Sequence, residues 1–505
     1  MVVMPRAFRL PNGPVMNRSS PHLRPRRRPA NAVVLEPERR HQRRLVQVAP
    51  IQHHRRAARA VRRRPVGSAA RCIEGVVTLK FRDSRSRWAS WRRSSTWRGR
   101  QLYNLKLTAL NCTSMIVRRA LTTLQGLARG FPVVALTGPR QSGKTTLARQ
   151  AFAALPYVNL EDPDTRELAL ADPRRFLARH ADGAIFDEVQ RAPALMSYLL
   201  GVADAATRMG RFVLTGSQQF GLMDGITQSL AGRVGMLTLL PLGNAELSQA
   251  ASLADQRPTL EKRMWRGGYP ALYAQHRALL PSQWFAAYVA TYIERDVRQV
   301  LNVGNLQTFQ RFVALCAARS GQLLNLNSLA GDCGISQPTA RQWLTVLQAS
   351  HLVTLLAPYH RNFGKRLVKT PKLYFLDSGL LCYLLRIASP DDLTTHALRG
   401  AVFETWVVGE TLKHRHNLGL PPDIYFWRDN HGLEIDLVFE HRSRLHAVEC
   451  KSGMTYSPSW LAPARRWRAL VGDAAADPLL VYGGDEGHRG GDYAVLSWRA
   501  LGLGS

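Results

Sequence analysis

The sequence predicts an α/β chain: a doubly wound parallel sheet first, then a helical stretch, then a smaller second α/β region. Short apolar runs at Val133 to Thr137, Ala184 to Phe186 and Phe212 to Leu214 end in turn residues and alternate with helix-forming segments, the spacing of βαβ units. From Glu246 to about Val303 apolar residues recur at helical spacing. Near the end, LEIDLVFEHRSRLHAVECKSG, Leu433 to Gly453, alternates in character and predicts two antiparallel strands joined by a tight turn.

At 505 residues the chain has room for about three domains. The formal charge of +33 is uneven: residues 1–115 carry 27 of the 69 Lys and Arg but only Glu36, Glu38, Glu74 and Asp83 among the acids. That segment lacks sustained periodicity before Leu102 and cannot bury enough apolar surface to offset its ordering entropy. Residues 1–114 therefore read as a disordered basic tail, as an Arg-rich transit peptide, or as sequence upstream of a true start at Met115. The remainder is moderately basic, compatible with nucleic acid without requiring it. Cys72, Cys112, Cys316, Cys333, Cys382 and Cys450 are scattered, with no C-x-x-C pair, and indicate neither a zinc site nor a disulfide framework. No apolar run reaches the roughly 18 residues of a membrane span. The expectation is a cytoplasmic protein.

The strand Val133 to Thr137 runs into Gly138-Pro-Arg-Gln-Ser-Gly-Lys144-Thr145, which fits G-x-x-x-x-G-K-[ST]. Gly138, Gln141, Ser142, Gly143, Lys144, Thr145 and Thr146 are expected to surround the phosphates of a nucleotide, backbone N–H groups and the following helix N-terminus supplying positive potential. Lys144 is expected on the β- and γ-phosphates and Thr145 on Mg²⁺. In GAIFDEVQRAP a buried strand ends at Asp187, placed for Mg²⁺, and Glu188, placed to polarise the attacking water. Phe212 to Leu214 ends near Ser217, which reads as a γ-phosphate sensor or as a plain turn residue. Arg233, before another apolar strand, reads as an arginine finger for a neighbouring protomer, implying a homo-oligomer, or as a structural arginine.

GPRQSGKTTLA, FDEVQRAP, LTGSQQF and SLAGRV, in this order, resemble the prokaryotic predicted ATPases of the AAA superfamily with a C-terminal domain of unknown function 4143. The resemblance spans about Met115 to Gly453. It implies ATP and Mg²⁺ as cofactors, hydrolysis through Lys144, Thr145, Asp187 and Glu188, and a start near Met115.

Trp284, Tyr288 and Tyr292 near helical spacing read as core rather than base-stacking groups, and Glu294, Arg295 and Asp296 as ion-paired surface. Leu326 to Tyr359 reads as two short helices and a strand: Gly334 permits the turn, and Ser336 caps a helix bearing Trp343, Leu344 and Leu347 on one face. With a basic loop (Arg361, Lys365, Arg366, Lys369, Lys372) and the run KLYFLD this predicts a winged helix-turn-helix with Gln337, Thr339, Arg341 and Gln342 facing a DNA major groove. Such folds also serve as protein-contact modules.

In the hairpin, strict alternation puts Glu434, Asp436 and Val438 on one face and Leu433, Ile435, Leu437 and Phe439 on the other. A turn centred on Arg442-Ser443 sets Asp436 across from Glu449, with Cβ atoms about 5 Å apart. Carboxylates that close need a proton, a lysine or a cation between them. A divalent metal on Asp436 and Glu449, helped by the Cys450 carbonyl and water, is one solution; Lys451 neutralising both acids is another. Glu404 lies on a mostly apolar helix and needs a partner. The order Glu404, Asp436, Glu449-x-Lys451 resembles the PD-(D/E)XK nuclease superfamily, with Ile435 where the leading proline would stand, and implies a restriction-endonuclease-like domain.

The expected organisation is a tail at 1–114, a P-loop ATPase core at 115–245, a helical lid at 246–305, a winged helix at 306–388 and a nuclease-like domain at 389–505. The function expected is an ATPase that couples nucleotide state to DNA binding and nuclease-like action. The competing reading is a nucleotide-switched interaction protein without nuclease activity, and a phosphotransferase is disfavoured for want of an acceptor site. If translation begins at Met115, mass spectrometry of the native N-terminus will find no peptide upstream of that residue; any such peptide excludes this start.

Overall fold

A computed structural model describes residues 116–204, 208–217, 232–253, 257–274, 279–297, 305–359 and 367–502. The tail 1–114 and the loop residues Arg361, Lys365 and Arg366 lie outside these, as do the side chains of Glu294, Arg295 and Asp296.

Strands β1 (Val133–Thr137), β2 (Tyr157–Asn159), β3 (Ala184–Asp187), β4 (Phe212–Thr215) and β5 (Val234–Thr238) form a parallel sheet in the order β2-β3-β4-β1-β5. Both faces are covered, which is why Val133 to Leu136 of β1 are all apolar rather than alternating. Val133 and Ala135 pack with Phe176, Phe186, Leu195 and Phe212 on one side; Val134 and Leu136 pack with Leu124, Leu147 and Val213 on the other. Helices Ala120–Gly130 and Lys144–Ala151 cover the second face, and Pro173–Ala178 and Ala194–Asp204 the first. The chain thus winds on both sides of the sheet, and the turns after β1, β3 and β4 all open on its carboxyl edge.

The region after β5 is helical. Trp284 stacks on Tyr288 at 5.0 Å, Tyr288 packs on Tyr292, and all three are buried, the core role their spacing predicts. Helices Leu306–Ala318, Leu326–Cys333 and Gln337–Ala349 follow, with an antiparallel sheet β6-β8-β7 made of β6 (Gln322–Leu323), β7 (Val353–Leu356) and β8 (Lys372–Phe375). Gly334 ends the second of these helices at φ 72°, and Ser336 caps the third by accepting from the Thr339 amide. Trp343 meets Phe309 and Phe312 edge-on at 5.2 and 5.3 Å.

The final sheet is mixed, in the order β13-β14-β12-β11-β10-β9: β9 (Ile424–Arg428), β10 (Glu434–His441), β11 (Arg444–Lys451), β12 (Leu479–Tyr482), β13 (His488–Arg489) and β14 (Ala494–Ser497). The β10/β11 turn falls on Arg442 and Ser443, at φ 50° and 60°, and the register runs from His441 opposite Arg444 to Leu437 opposite Val448, as the sequence predicts.

Strict alternation fails. One extra residue bulges from β10 between Ile435 and Val438, so those two pack together with Ala447 and Trp467, while Leu437 and Phe439 join the larger core on the other side. That larger core runs from Leu240 to Trp498 and contains the helix Arg399–Asn417 as well as Trp284 and Trp343. Among the described residues no helix is long and apolar enough to cross a membrane.

The helices Leu260–Arg266 and Ser378–Leu384 meet without room for a side chain at Gly379. A Cβ there would lie 2.7 Å from the Gly267 amide nitrogen and 2.8 Å from the Arg266 carbonyl. Gly379→Ala is expected to lower unfolding free energy by about 1–3 kcal/mol, read as a lower urea midpoint.

Candidate functional site

The first site is assembled at the carboxyl edge of the parallel sheet. Gly138 leaves β1 at φ 136° with its α-carbon pressed against β5: an added Cβ would stand 2.2 Å from the Leu239 carbonyl oxygen, so this turn admits no side chain. Gln141 also has positive φ and is exposed, as is Thr146. Lys144 is buried, and its ammonium donates to the Gly138 carbonyl at 3.0 Å and the Pro139 carbonyl at 2.8 Å. Burial lowers its pKa to about 8, against the opposing pull of Glu188 and Asp187. A phosphate at this spot would replace the stabilisation the ammonium lost with its water.

Thr145 donates to Asp187, 3.0 Å from each carboxylate oxygen, which leaves the hydroxyl lone pairs open. Tyr157 donates to Asp187 Oδ2 at 2.7 Å, and Thr215 donates to Oδ1. Glu188, at φ 54°, accepts from Ser217 Oγ at 3.0 Å and from the Gln190 amide. This hard-oxygen set beside a buried lysine suits Mg²⁺ carried on a nucleotide, with Thr145 and Asp187 as its protein partners. Gln190 and Thr215 stand inside the stretches FDEVQRAP and LTGSQQF without a role read from them, and Tyr157 lies in no motif.

Arg233 sits elsewhere. It precedes Val234, which is level with Val133 at the amino edge of the sheet, about 16 Å along the strand from the loop. There it pairs with Asp204. Within its own chain it does not join the nucleotide site.

The second site lies where the helix Arg399–Asn417 crosses the final sheet. Glu404 accepts from Lys372 Nζ at 3.0 Å and Tyr374 Oη at 2.5 Å. Lys372 also pairs with Glu434, whose other oxygen meets Arg428 at 2.9 Å. Lys372 is thus buried at the start of β8 and is not part of an exposed basic wing: its charge is drawn inward by carboxylates. The β10 bulge turns Asp436 so that Oδ2 accepts from the Cys450 amide at 2.8 Å, and Lys451 Nζ stands 3.0 Å from Glu449 and 3.7 Å from Asp436. Asp436 and Glu449 therefore converge on one ammonium.

Burial, and then the charge of Asp436, raise the Glu404 pKa to about 7 and the Glu449 pKa to about 8. Burial alone would lower Lys372 and Lys451, but the carboxylates around them reverse it and hold both ammoniums charged. Glu449 Oε1 is buried without a hydrogen-bond partner. That orphaned oxygen is what a cation on Asp436 and Glu449 would satisfy. Among the described residues, however, no group of three or more His, Cys, Asp or Glu is arranged to hold a metal, so such an ion would draw its other ligands from backbone and water.

Family comparisons match an AAA domain to residues 130–248, a domain of unknown function (DUF8612) to 257–391 and another (DUF4143) to 399–501. The uncharacterized protein Rv2008c of Mycobacterium tuberculosis is 32% identical over 382 residues, covering 75% of this chain and 82% of that protein, and Mb2031c of Mycobacterium bovis matches equally. The chain belongs to the family of AAA-domain P-loop ATPases that end in DUF4143. Among solved structures, the Walker-type ATPase PABY2304 of Pyrococcus abyssi is 14% identical over 54% of this chain and 96% of that one, TM-score 0.35. A signal transduction ATPase with numerous domains from Pyrococcus horikoshii, PH0952, is 14% identical over 60% of this chain and 47% of that one, TM-score 0.24.

The raised carboxyl pKa values give the C-terminal domain a pH signature. Glu449 binds its proton more tightly folded, at about 8, than unfolded, near 4.5, so its contribution to stability is full below pH 4.5 and is lost as pH rises to about 8; Glu404 acts likewise up to about 7. In EDTA, Glu449→Gln is expected to be more stable than the native chain at pH 8 and to lose less stability from pH 4.5 upward. Equal slopes for the two proteins in urea titrations would contradict this assignment.

Proposed function

We propose that the chain is an Mg²⁺-dependent ATPase whose nucleotide state acts on a nucleic-acid-binding, nuclease-like C-terminal region. The observation that carries the ATPase reading is the convergence of Lys144, Thr145, Asp187 and Glu188 from two strand ends on one edge. Gly138, Gln141, Ser142 and Gly143 cradle the phosphates, Lys144 binds the β- and γ-oxygens, and Thr146 flanks them at the helix start. Mg²⁺, held by Thr145 and Asp187, supplies charge neutralisation on the phosphates when bound. Tyr157 and Thr215 fix the Asp187 carboxylate, while Ser217 and Gln190 fix Glu188, the base that orients water. Arg233, at the opposite edge of the sheet, would act as an arginine finger only toward a neighbouring protomer of a homo-oligomer.

A winged-helix reading of residues 306–388 is supported by the capped third helix packed on a three-stranded antiparallel sheet. Arg341 and Gln342 are exposed on that helix, with Gln337 and Thr339 half-buried at its start, and would face DNA. In the nuclease-like reading of 389–505, Asp436 and Glu449 hold a divalent ion, Lys451 polarises the attacked phosphate, and Glu404 completes the acidic wall. A nucleotide-switched interaction protein is the alternative. It is favoured by one observation: Lys451 and Lys372 already stand among the carboxylates, as in a site neutralised for structure.

Lys144→Ala is expected to abolish ATP hydrolysis, leaving Mg²⁺-dependent DNA cutting to be tested by Asp436→Ala, which should abolish cutting without touching ATP turnover. Unchanged cutting by Asp436→Ala would remove the nuclease reading, and ATP turnover indifferent to duplex and single-stranded DNA would favour the alternative.

A further inference from the structure

We infer that Arg118 is a positioning residue of the nucleotide site, acting through the Ser142–Gly143 peptide. Arg118 lies upstream of the matched AAA domain, just before the first described helix, and its side chain is buried. Its guanidinium spans three segments: Nη1 donates to the Ser142 carbonyl at 2.7 Å, Nη2 to the Leu240 carbonyl at 2.7 Å, and Nε to Glu246 Oε1 at 3.1 Å. A planar fork fills three acceptors in fixed directions, which a lysine does not do.

The consequence follows from peptide geometry. In a trans peptide the carbonyl of one residue and the N–H of the next point oppositely. Arg118 holds the Ser142 oxygen, so the Gly143 N–H points away from the guanidinium, the side assigned to the phosphates in the ATPase reading. Gly143 holds this at φ 95°, a conformation that side-chain-bearing residues rarely adopt, and Arg118 Nη1 lies 3.6 Å from where a Gly143 Cβ would be. Without the guanidinium, the peptide loses the anchor that keeps its N–H in the cradle.

Glu246 holds the fork in place. Its Oε1 also accepts from the Arg119 amide at 2.8 Å, and its Oε2 accepts from the Gly243 amide at 2.8 Å. With both oxygens bonded, Glu246 cannot swing away and release the arginine.

This inference rests on the ATPase reading, and the test separates the two. Binding of ADP and of AMP is measured by calorimetry for the native chain, Arg118→Ala and Arg118→Lys. If the native chain binds neither nucleotide, the ATPase reading fails. If it binds ADP more tightly than AMP, the ratio of the two affinities reports the grip on the β-phosphate. A general loosening weakens both nucleotides alike; loss of peptide orientation weakens ADP selectively. Arg118→Ala is expected to shrink the ADP-to-AMP ratio about tenfold, the scale of one hydrogen bond to a charged group. Low, non-denaturing guanidinium ion is expected to restore it. Arg118→Lys, which keeps the charge opposite Glu246, covers the case in which the alanine variant does not fold, and is expected to give an intermediate ratio. An unchanged ratio in a folded variant, or equal losses for ADP and AMP, overturns the inference.

Discussion

Taking a full charge out of water costs several kcal/mol unless opposite charge and hydrogen bonds replace the lost hydration, and the architecture of this chain is organised by where it meets that demand. Lys144 is met by loop carbonyls, Asp187 by three hydroxyls, Arg118 by two carbonyls and Glu246, and Lys413 by Glu410 at 2.8 Å. The Asp187 and Arg118 sets join segments distant in sequence, as does Lys413 through the Leu242 carbonyl at 3.3 Å, whereas Lys144 is met within its own loop. At Glu449 it is left incomplete, with one oxygen unpartnered and a proton retained near neutral pH.

The two candidate sites answer the demand differently. The nucleotide site leaves its ammonium short of negative charge, which a phosphate would supply. In the acidic site, burial and then the charge of Asp436 raise Glu404 and Glu449 even with Lys372 and Lys451 present. One pocket is suited to an anion, the other to a cation or a proton.

Local patterns carried much of this into view. The loop Gly138 to Thr145 announces a phosphate cradle by its own residue pattern, and Asp187 ends an apolar run, so both were legible. The hairpin register was legible because a two-residue turn fixes it. The bulge was not: it is imposed by β9 and by the packing of Ile435 and Val438 against Trp467, which no period-2 count contains. Lys372 misled because a lysine in a basic run looks solvated until its helix-borne partner Glu404, 32 residues on, is placed beside it. Arg118 had no motif; its meaning comes from the carbonyls of Ser142 and Leu240.

The helix Arg399–Asn417 is about 28 Å long and runs from the acidic site to segments that flank the ATPase core. Near its start Glu404 faces the acidic hairpin; farther along, Glu410 accepts from the Asn244 amide at 2.5 Å, next to the Gly243 amide that Glu246 holds; at its end the Asn417 carbonyl accepts from Thr123 at 2.7 Å. A rod fastened at three places joins the acidic site to those segments, and any coupling carried through it runs in both directions. Whatever factor a nucleotide imposes on cation or proton affinity at the hairpin, occupancy of the hairpin must return to the nucleotide, because thermodynamic linkage admits no one-way coupling. For any such coupling, effector and target are interchangeable labels.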